Sequence, residues 1–264
     1  MALSFRHLIF AVLLLPGSLA CVPPAQAQSA RPFAGAAESL TFTVFARTRQ
    51  MGLQFLPGDQ VPPQAVEFFG NTRSPVYLSR NGASVPFYEG SALTAWWQAR
   101  TADPRNPPPL PKPVAIAQVA PGIGRALFLF IPVRSPAPGE PRFHVYVVDD
   151  SPRSLPGGYA SVINASGREY MAKMGEQTLE VPHGIGGKVP VQGTVELRLA
   201  TQAGGSWVVG GRHTFRLGER DRVSLVFFPP SSPTGIAPII RTLVEELPEE
   251  MPVKPAPQVA SYGR

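Results

Sequence analysis

The stretch Thr194-Val195-Glu196-Leu197-Arg198-Leu199-Ala200 decides the fold class. Val195, Leu197 and Leu199 alternate with Glu196 and Arg198, which is the period of a strand with one face on a core and one in water. A helix would scatter those three apolar side chains around its circumference. The pattern recurs on both sides. Strands are predicted over 126–131, 143–148, 158–164, 169–174, 178–181, 194–200, 206–217 (bent at Gly210-Gly211) and 222–228. Turn clusters separate them: SPAPGEP at 135–141, DDSPRSLPGG at 149–158 and HGIGG at 183–187. Seven or eight short strands with regular turns argue for an antiparallel β-sandwich. No strand–helix alternation suggests a parallel nucleotide-binding sheet.

The first half reads the same way with more interruptions. Leu40, Phe42 and Val44 alternate with Thr41 and Thr43, a strand with one face buried. Asn81-Gly82 lies between Val76–Arg80 and Ser84–Tyr88 and suits a type I′ turn, so these two runs are expected to pair as a hairpin. Pro86 has no N–H and belongs at a sheet edge or an unbonded site. Leu93–Ala99 (LTAWWQA) reads as another short strand, and Val114–Val119 as one more. Between them, residues 104–113 (PRNPPPLPKP) hold six prolines and favour stiff, extended backbone. Ile239, Ile240, Leu243, Val244 and Leu247 fit a short amphipathic helix by spacing and an edge strand by their β-branched content; their place after a run of strands favours the strand.

Composition agrees with a folded β protein. Pro (32) and Gly (25) make about a fifth of the 264 residues, below the roughly 25–30% of non-periodic disordered chains. Hydrophobic residues reach 44%, enough for a core. The formal charge of +6 is spread over single arginines, with lysine only at 112, 173, 188 and 254. Nucleic-acid binding needs a clustered basic stripe, which is missing here.

Residues 1–27 read as an export signal: Arg6 and His7, the apolar run Leu8–Leu15, then Ala25-Gln26-Ala27 before a cleavage point between Ala27 and Gln28. Cys21, the sole cysteine, follows Ser18-Leu19-Ala20 and partly resembles a lipoprotein box. Acylation at Cys21 is the competing reading, and it is the one route by which the mature chain would touch a membrane. No later apolar run reaches spanning length. The expected place is the periplasm or extracellular space, with no cysteine left for an internal disulfide.

Catalytic material is sparse. His144, His183 and His213 share no metal-ligand spacing, so no metal or other cofactor is expected. Gly82-Ala83-Ser84-Val85-Pro86 lacks the second glycine of a nucleophile elbow. Gly184–Lys188 is followed by Val189 where a phosphate loop needs Ser or Thr. Asp149-Asp150 ends a strand and reads as turn-forming, with Ca²⁺ binding the sharper alternative. Glu169, Glu176 and Glu180 could supply a carboxylate pair for an unusual hydrolase. Asn164-Ala165-Ser166 fits a glycosylation sequon. Trp96 and Trp97 are the candidate contacts: on a strand one indole would face the core and the other outward, ready to stack on a sugar or anchor a partner. Phe68-Phe69 and Phe227-Phe228 raise the same question.

Together with the signal at 1–27, three features resemble a family of uncharacterised exported bacterial proteins with two β-sandwich domains. They are Pro75-Val76-Tyr77 to Phe87-Tyr88, Val119-Ala120-Pro121 leading into Leu127–Phe130, and Tyr146–Ser151 followed by Leu155–Tyr159 and Val162–Asn164. That family carries no assigned activity, so the resemblance transfers no catalytic residue. The resulting expectation is all-β, with two antiparallel, Ig-like β-sandwich domains at 38–122 and 123–247. A signal (1–27), a lead-in (28–37) and a disordered tail (248–264) flank them. The expected role is a non-catalytic envelope module that meets an unknown envelope protein or glycan.

Overall fold

The computed structural model describes residues 39–248, Pro233 excepted. Cys21, Ala27, Gln28, the lead-in and the tail beyond Pro248 lie outside the described residues. The elements are β1 Leu40–Ala46, β2 Leu53–Phe55, β3 Gln64–Ala65, β4 Tyr77–Ser79, β5 Ser84–Glu89, α1 Gly90–Ala102, β6 Ala115–Gln118, β7 Arg125–Pro132, β8 Phe143–Asp149, β9 Tyr159–Asn164, β10 Tyr170–Met174, β11 Gln177–Val181, β12 Gly184–Pro190, β13 Gly193–Ala203, β14 Ser206–Leu217, β15 Asp221–Phe228 and β16 Ile239–Glu246.

Four sheets form two face-to-face pairs, as two β-sandwiches require. In the first half, an inner sheet β4-β1-β7-β8 packs on an outer sheet β3-β2-β5-β6. In the second, an inner sheet β12-β9-β15-β16 packs on an outer sheet β11-β10-β13-β14. The two inner sheets also bury apolar side chains against each other: Phe45, Leu127, Leu129 and Val148 meet Ile163, Val226, Phe228 and Leu243. The sheets therefore lie in four layers with three cores between them.

This layering explains two kinds of strand sequence. Inner strands are apolar on both faces, so β7 (RALFLFIP) and β15 (DRVSLVFF) read as continuous apolar runs. Outer strands have one wet face, so β13 alternates. Phe227 and Phe228 show the inner case directly, one feeding the second-half core and the other the central core. The threonine face of β1 is not a wet face: Thr43 is buried, and Phe45 belongs to the central core.

The two halves share one topology. Adding eight to each strand label of the first half gives the second half, in both sheets. The likeness includes a parallel pair at the centre of each inner sheet, β1 with β7 and β9 with β15, so neither inner sheet is wholly antiparallel as expected. Phe42 lies beside Ala126 as Ala160 lies beside Val223. That register matches Arg125-Ala-Leu-Phe-Leu-Phe-Ile-Pro132 to Arg222-Val-Ser-Leu-Val-Phe-Phe-Pro229.

Several expectations are corrected. The boundary set at residue 122 cuts through a sheet, because β7 pairs with β1 and β8 with β7; the sheet pairs divide between Asp149 and Tyr159. Asn81-Gly82 closes no hairpin. β4 pairs with β1 and β5 with β2 and β6, so the turn carries the chain from inner to outer sheet. Gly82 also lacks the positive φ that a type I′ turn demands. Leu93–Ala99 is part of α1, not a strand. Four alanines and no proline between 90 and 102 favour helix, and Asp103-Pro104 ends it. The glycine cluster at 184–187 runs into edge strand β12, with a bulge between Ile185 and Lys188. Residues 239–246 form a strand.

Candidate functional site

Two clusters of polar side chains merit attention, one buried and one open. The buried cluster lies where the two halves meet. Arg222 is fully buried, and its guanidinium reaches Asp150 at 3.1 Å, Glu245 at 2.7 Å and the Leu155 carbonyl at 3.1 Å. Arg73 bonds Asp150 at 2.6 Å and approaches Glu245 at 3.2 Å. Arg125 pairs with Glu245 and lies 3.6 Å from Asp150. Three guanidiniums thus face two carboxylates, and most of their charge is paired. Burial alone would push the Glu245 carboxyl up. The Arg222 hydrogen bonds and the charges of Arg73, Arg222 and Arg125 outweigh it and hold Glu245 below the usual carboxylate value. This arrangement pins two sheets together. Asp149, its neighbour, makes the expected turn by accepting the Ser151 N–H at 3.0 Å.

The open cluster is on the outer face of β11-β10-β13-β14. Tyr170, Ala172, Leu197 and Leu199 point to the core, so alternation puts Glu169, Met171, Gln202 and Glu180 on the other side. Gln202 pairs with Trp207 across the β13–β14 hairpin, and Ala200 with Val209. Gly204 and Gly205 both take positive φ, which lets the hairpin turn tightly there. The result is a groove of about 520 Å³ lined by Arg168, Glu169, Met171, Glu180, Gln202 and Trp207, among others. Trp207 is 56% exposed and Val209 70%. An exposed indole presents a flat apolar face with a polar N–H at its edge.

The two tryptophans singled out from the sequence do not occupy opposite faces of a strand. They are neighbours on α1, with ring centroids 6.3 Å apart. The Arg100 guanidinium covers both, 5.2 Å from the Trp96 ring and 5.7 Å from the Trp97 ring. Trp96 Nε1 donates to the Pro108 carbonyl at 2.9 Å, so the proline run folds back on the helix. Their contacts are therefore largely made within the chain.

The three glutamates separate. Glu169 and Glu180 share the groove, while Glu176 sits in the β10–β11 turn at the far end of the hairpin. Phe68 is buried edge-on against Phe130 at 5.0 Å, and Phe69 is exposed. Asn164 of the sequon is fully buried; its amide donates to the carbonyls of Arg168, Val181 and Pro182, leaving no room for a glycan. Lys188 donates to Ser154 rather than to an open loop. His183 Nε2 lies 2.7 Å from the Tyr146 hydroxyl and His213 Nε2 2.6 Å from Thr242 Oγ1. Among the described residues, no three His, Cys, Asp or Glu side chains are grouped to hold a metal ion. Trp207 escaped the sequence reading because it stands alone beside Ser206 and Val208; the tight Gly204-Gly205 turn before it was the available signal. Set against known proteins, the chain matches no family model and no curated sequence.

Proposed function

We propose that this chain is an exported, non-catalytic protein of the cell envelope that works by binding, through the outer face of β11-β10-β13-β14. One observation carries the reading: the exposed Trp207 at the lip of a 520 Å³ groove, on a sheet whose other face is fully packed. The signal-like residues 1–27 support export, with Cys21 the lipid-anchor alternative. The arginine–carboxylate cluster is mutually paired and serves cohesion between the halves.

The test is co-sedimentation with isolated cell-envelope fractions. Trp207→Ala weakens binding at least tenfold, the size expected for an aromatic anchor, while Trp97→Ala leaves it within twofold. Equal binding by wild type and Trp207→Ala would sink the reading. A glycan ligand is the second reading, favoured by the company of Trp207: an indole beside Gln202 and two carboxylates can stack on a sugar ring and accept its hydroxyls. A glycan array probed with wild type and Trp207→Ala reports on it, and fractionation of Cys21→Ser against wild type reports on the anchor.

A further inference from the structure

The duplicated topology gives the groove a counterpart in the first half. Tyr77 lies opposite Phe42 as Val189 lies opposite Ala160. Ten residues on from each come the inward-facing Phe87 and Leu199, which pair with Phe55 and Ala172. The outward pair Gln54–Tyr88 therefore corresponds to Met171–Ala200, and the next step, Gly52 and Gly90, to Glu169 and Gln202. Glu169, Met171 and Gln202 line the groove.

In the first half that place is filled. Gly90 begins α1 and donates its N–H to the Gly52 carbonyl at 2.6 Å. Thr94 Oγ1 donates to the Gln54 side chain at 3.1 Å, Leu93 is fully buried, and α1 touches both β2 and β5. Gly90 is needed for this approach, because a Cβ there would stand 2.8 Å from the Gly52 carbonyl oxygen. In the second half the chain runs on as strand through Gln202, turns at Gly204-Gly205 and returns with Trp207, so among the described residues no helix covers the equivalent positions.

From this correspondence, and resting on the binding role proposed for the groove, we infer that its occupant is a short amphipathic helix of a partner protein. The helix inserts an aliphatic side chain as Leu93 inserts in the first half, and rests that turn against Trp207 and Met171. Two carboxylates, Glu169 and Glu180, against the single Arg168 select a helix of positive charge. The chain's own α1 has that character, since residues 90–102 hold Arg100 and no acid.

The probe is α1 itself supplied in trans: a fluorescein-labelled peptide of residues 90–102, acetylated and amidated, titrated into the full chain and followed by anisotropy. Saturable binding is expected. It weakens at least tenfold for the Trp207→Ala chain, for the Glu180→Lys chain at low salt, and for a peptide carrying Leu93→Lys. Thermal melts of both chain variants within 2 °C of wild type show that they remain folded. Absence of saturable binding, or binding indifferent to Trp207→Ala, overturns the helical occupant. If the peptide fails while envelope co-sedimentation still depends on Trp207, the groove keeps its binding role and only the helix is refuted. If both fail, both readings fall.

Discussion

Asp150→Ala removes the carboxylate at the centre of the buried arginine cluster. Asp150 is 1% exposed, accepts from Arg73 at 2.6 Å and forms an ion pair with Arg222 at 3.1 Å, with Arg125 at 3.6 Å. Without it, three guanidiniums face Glu245 alone. Arg222 has no exposed surface through which water could reach it, so its charge stays desolvated and half-paired. Breaking a buried pair from one side costs about 3–5 kcal/mol. In a chain of this size each kcal/mol moves Tm by about 2–4 °C, so a fall of roughly 6–20 °C is expected. Differential scanning calorimetry at pH 7 measures it. The control is the double variant Asp150→Ala/Arg222→Met. It leaves Arg73 and Arg125 with Glu245, the same excess of one positive charge as wild type, and replaces the buried cation by an apolar side chain of similar reach. Its Tm recovers at least half the loss, since removing both members of a buried pair is close to neutral. A shift under 2 °C in the single variant, or a double variant no better than the single, refutes the cohesive role assigned to the cluster.

Three other outcomes follow from the same geometry. Glu245 has a folded pKa below its unfolded value, so its share of stability is present above about pH 4.3 and is lost as pH falls through the folded pKa; Glu245→Gln lowers Tm at pH 7 and flattens the acid limb of a Tm–pH profile. His213 is the opposite ionisation: burial lowers its pKa, so protonation favours the unfolded chain and stability declines as pH drops below about 6.5, a limb that His213→Gln removes. Gly90→Ala would raise stability by about 1 kcal/mol if helix propensity decided the site. Its Cβ instead meets the Gly52 oxygen, so Tm falls and helical circular dichroism weakens.

Much of this fold is legible from the chain because strand sequences report how many faces are buried. The alternation of β13 announces an outer strand, and the unbroken runs of β7 and β15 announce inner ones. Pairing was harder to read. Val76–Arg80 and Ser84–Tyr88 flank a turn-forming Asn-Gly, yet they add to facing sheets because Tyr77 and Phe87 enter one core from opposite layers. Local turn chemistry cannot tell a hairpin from such a crossing. At Leu93–Ala99 two bulky indoles pull a short window toward strand, whereas the longer proline-free, alanine-rich window decides for helix. The groove is half visible in the sequence: Glu169 and Glu180 stand out as carboxylates, but their shared face depends on the β10–β11 register, and Trp207 joins them only through β13.

The duplication also explains where the ion cluster lies. Arg125 stands one step beyond the Ala126–Asp149 pair, facing Asp150, and Arg222 pairs with Glu245. These are one strand-end motif occurring twice. The inner sheets meet with Arg73 and Ser74, beside β4, near β16, and Tyr146 of β8 near His183, beside β12. Under the eight-strand shift these contacts exchange, which is the self-complementary pattern of a two-fold dimer interface. Such an axis brings both copies of an arginine–carboxylate pair together, each cation within reach of both acids. The halves then differ by addition at other points. Arg73 enters the cluster from the first half alone, and its counterpart by the β4–β12 register is Ile185. Helix α1, with the proline run bonded to Trp96, covers the first outer sheet, while among the described residues the second keeps its equivalent surface open. Among the described residues one of the two equivalent seats is filled by α1 and the other is open, and on the open side Trp207→Ala tests the proposed binding role.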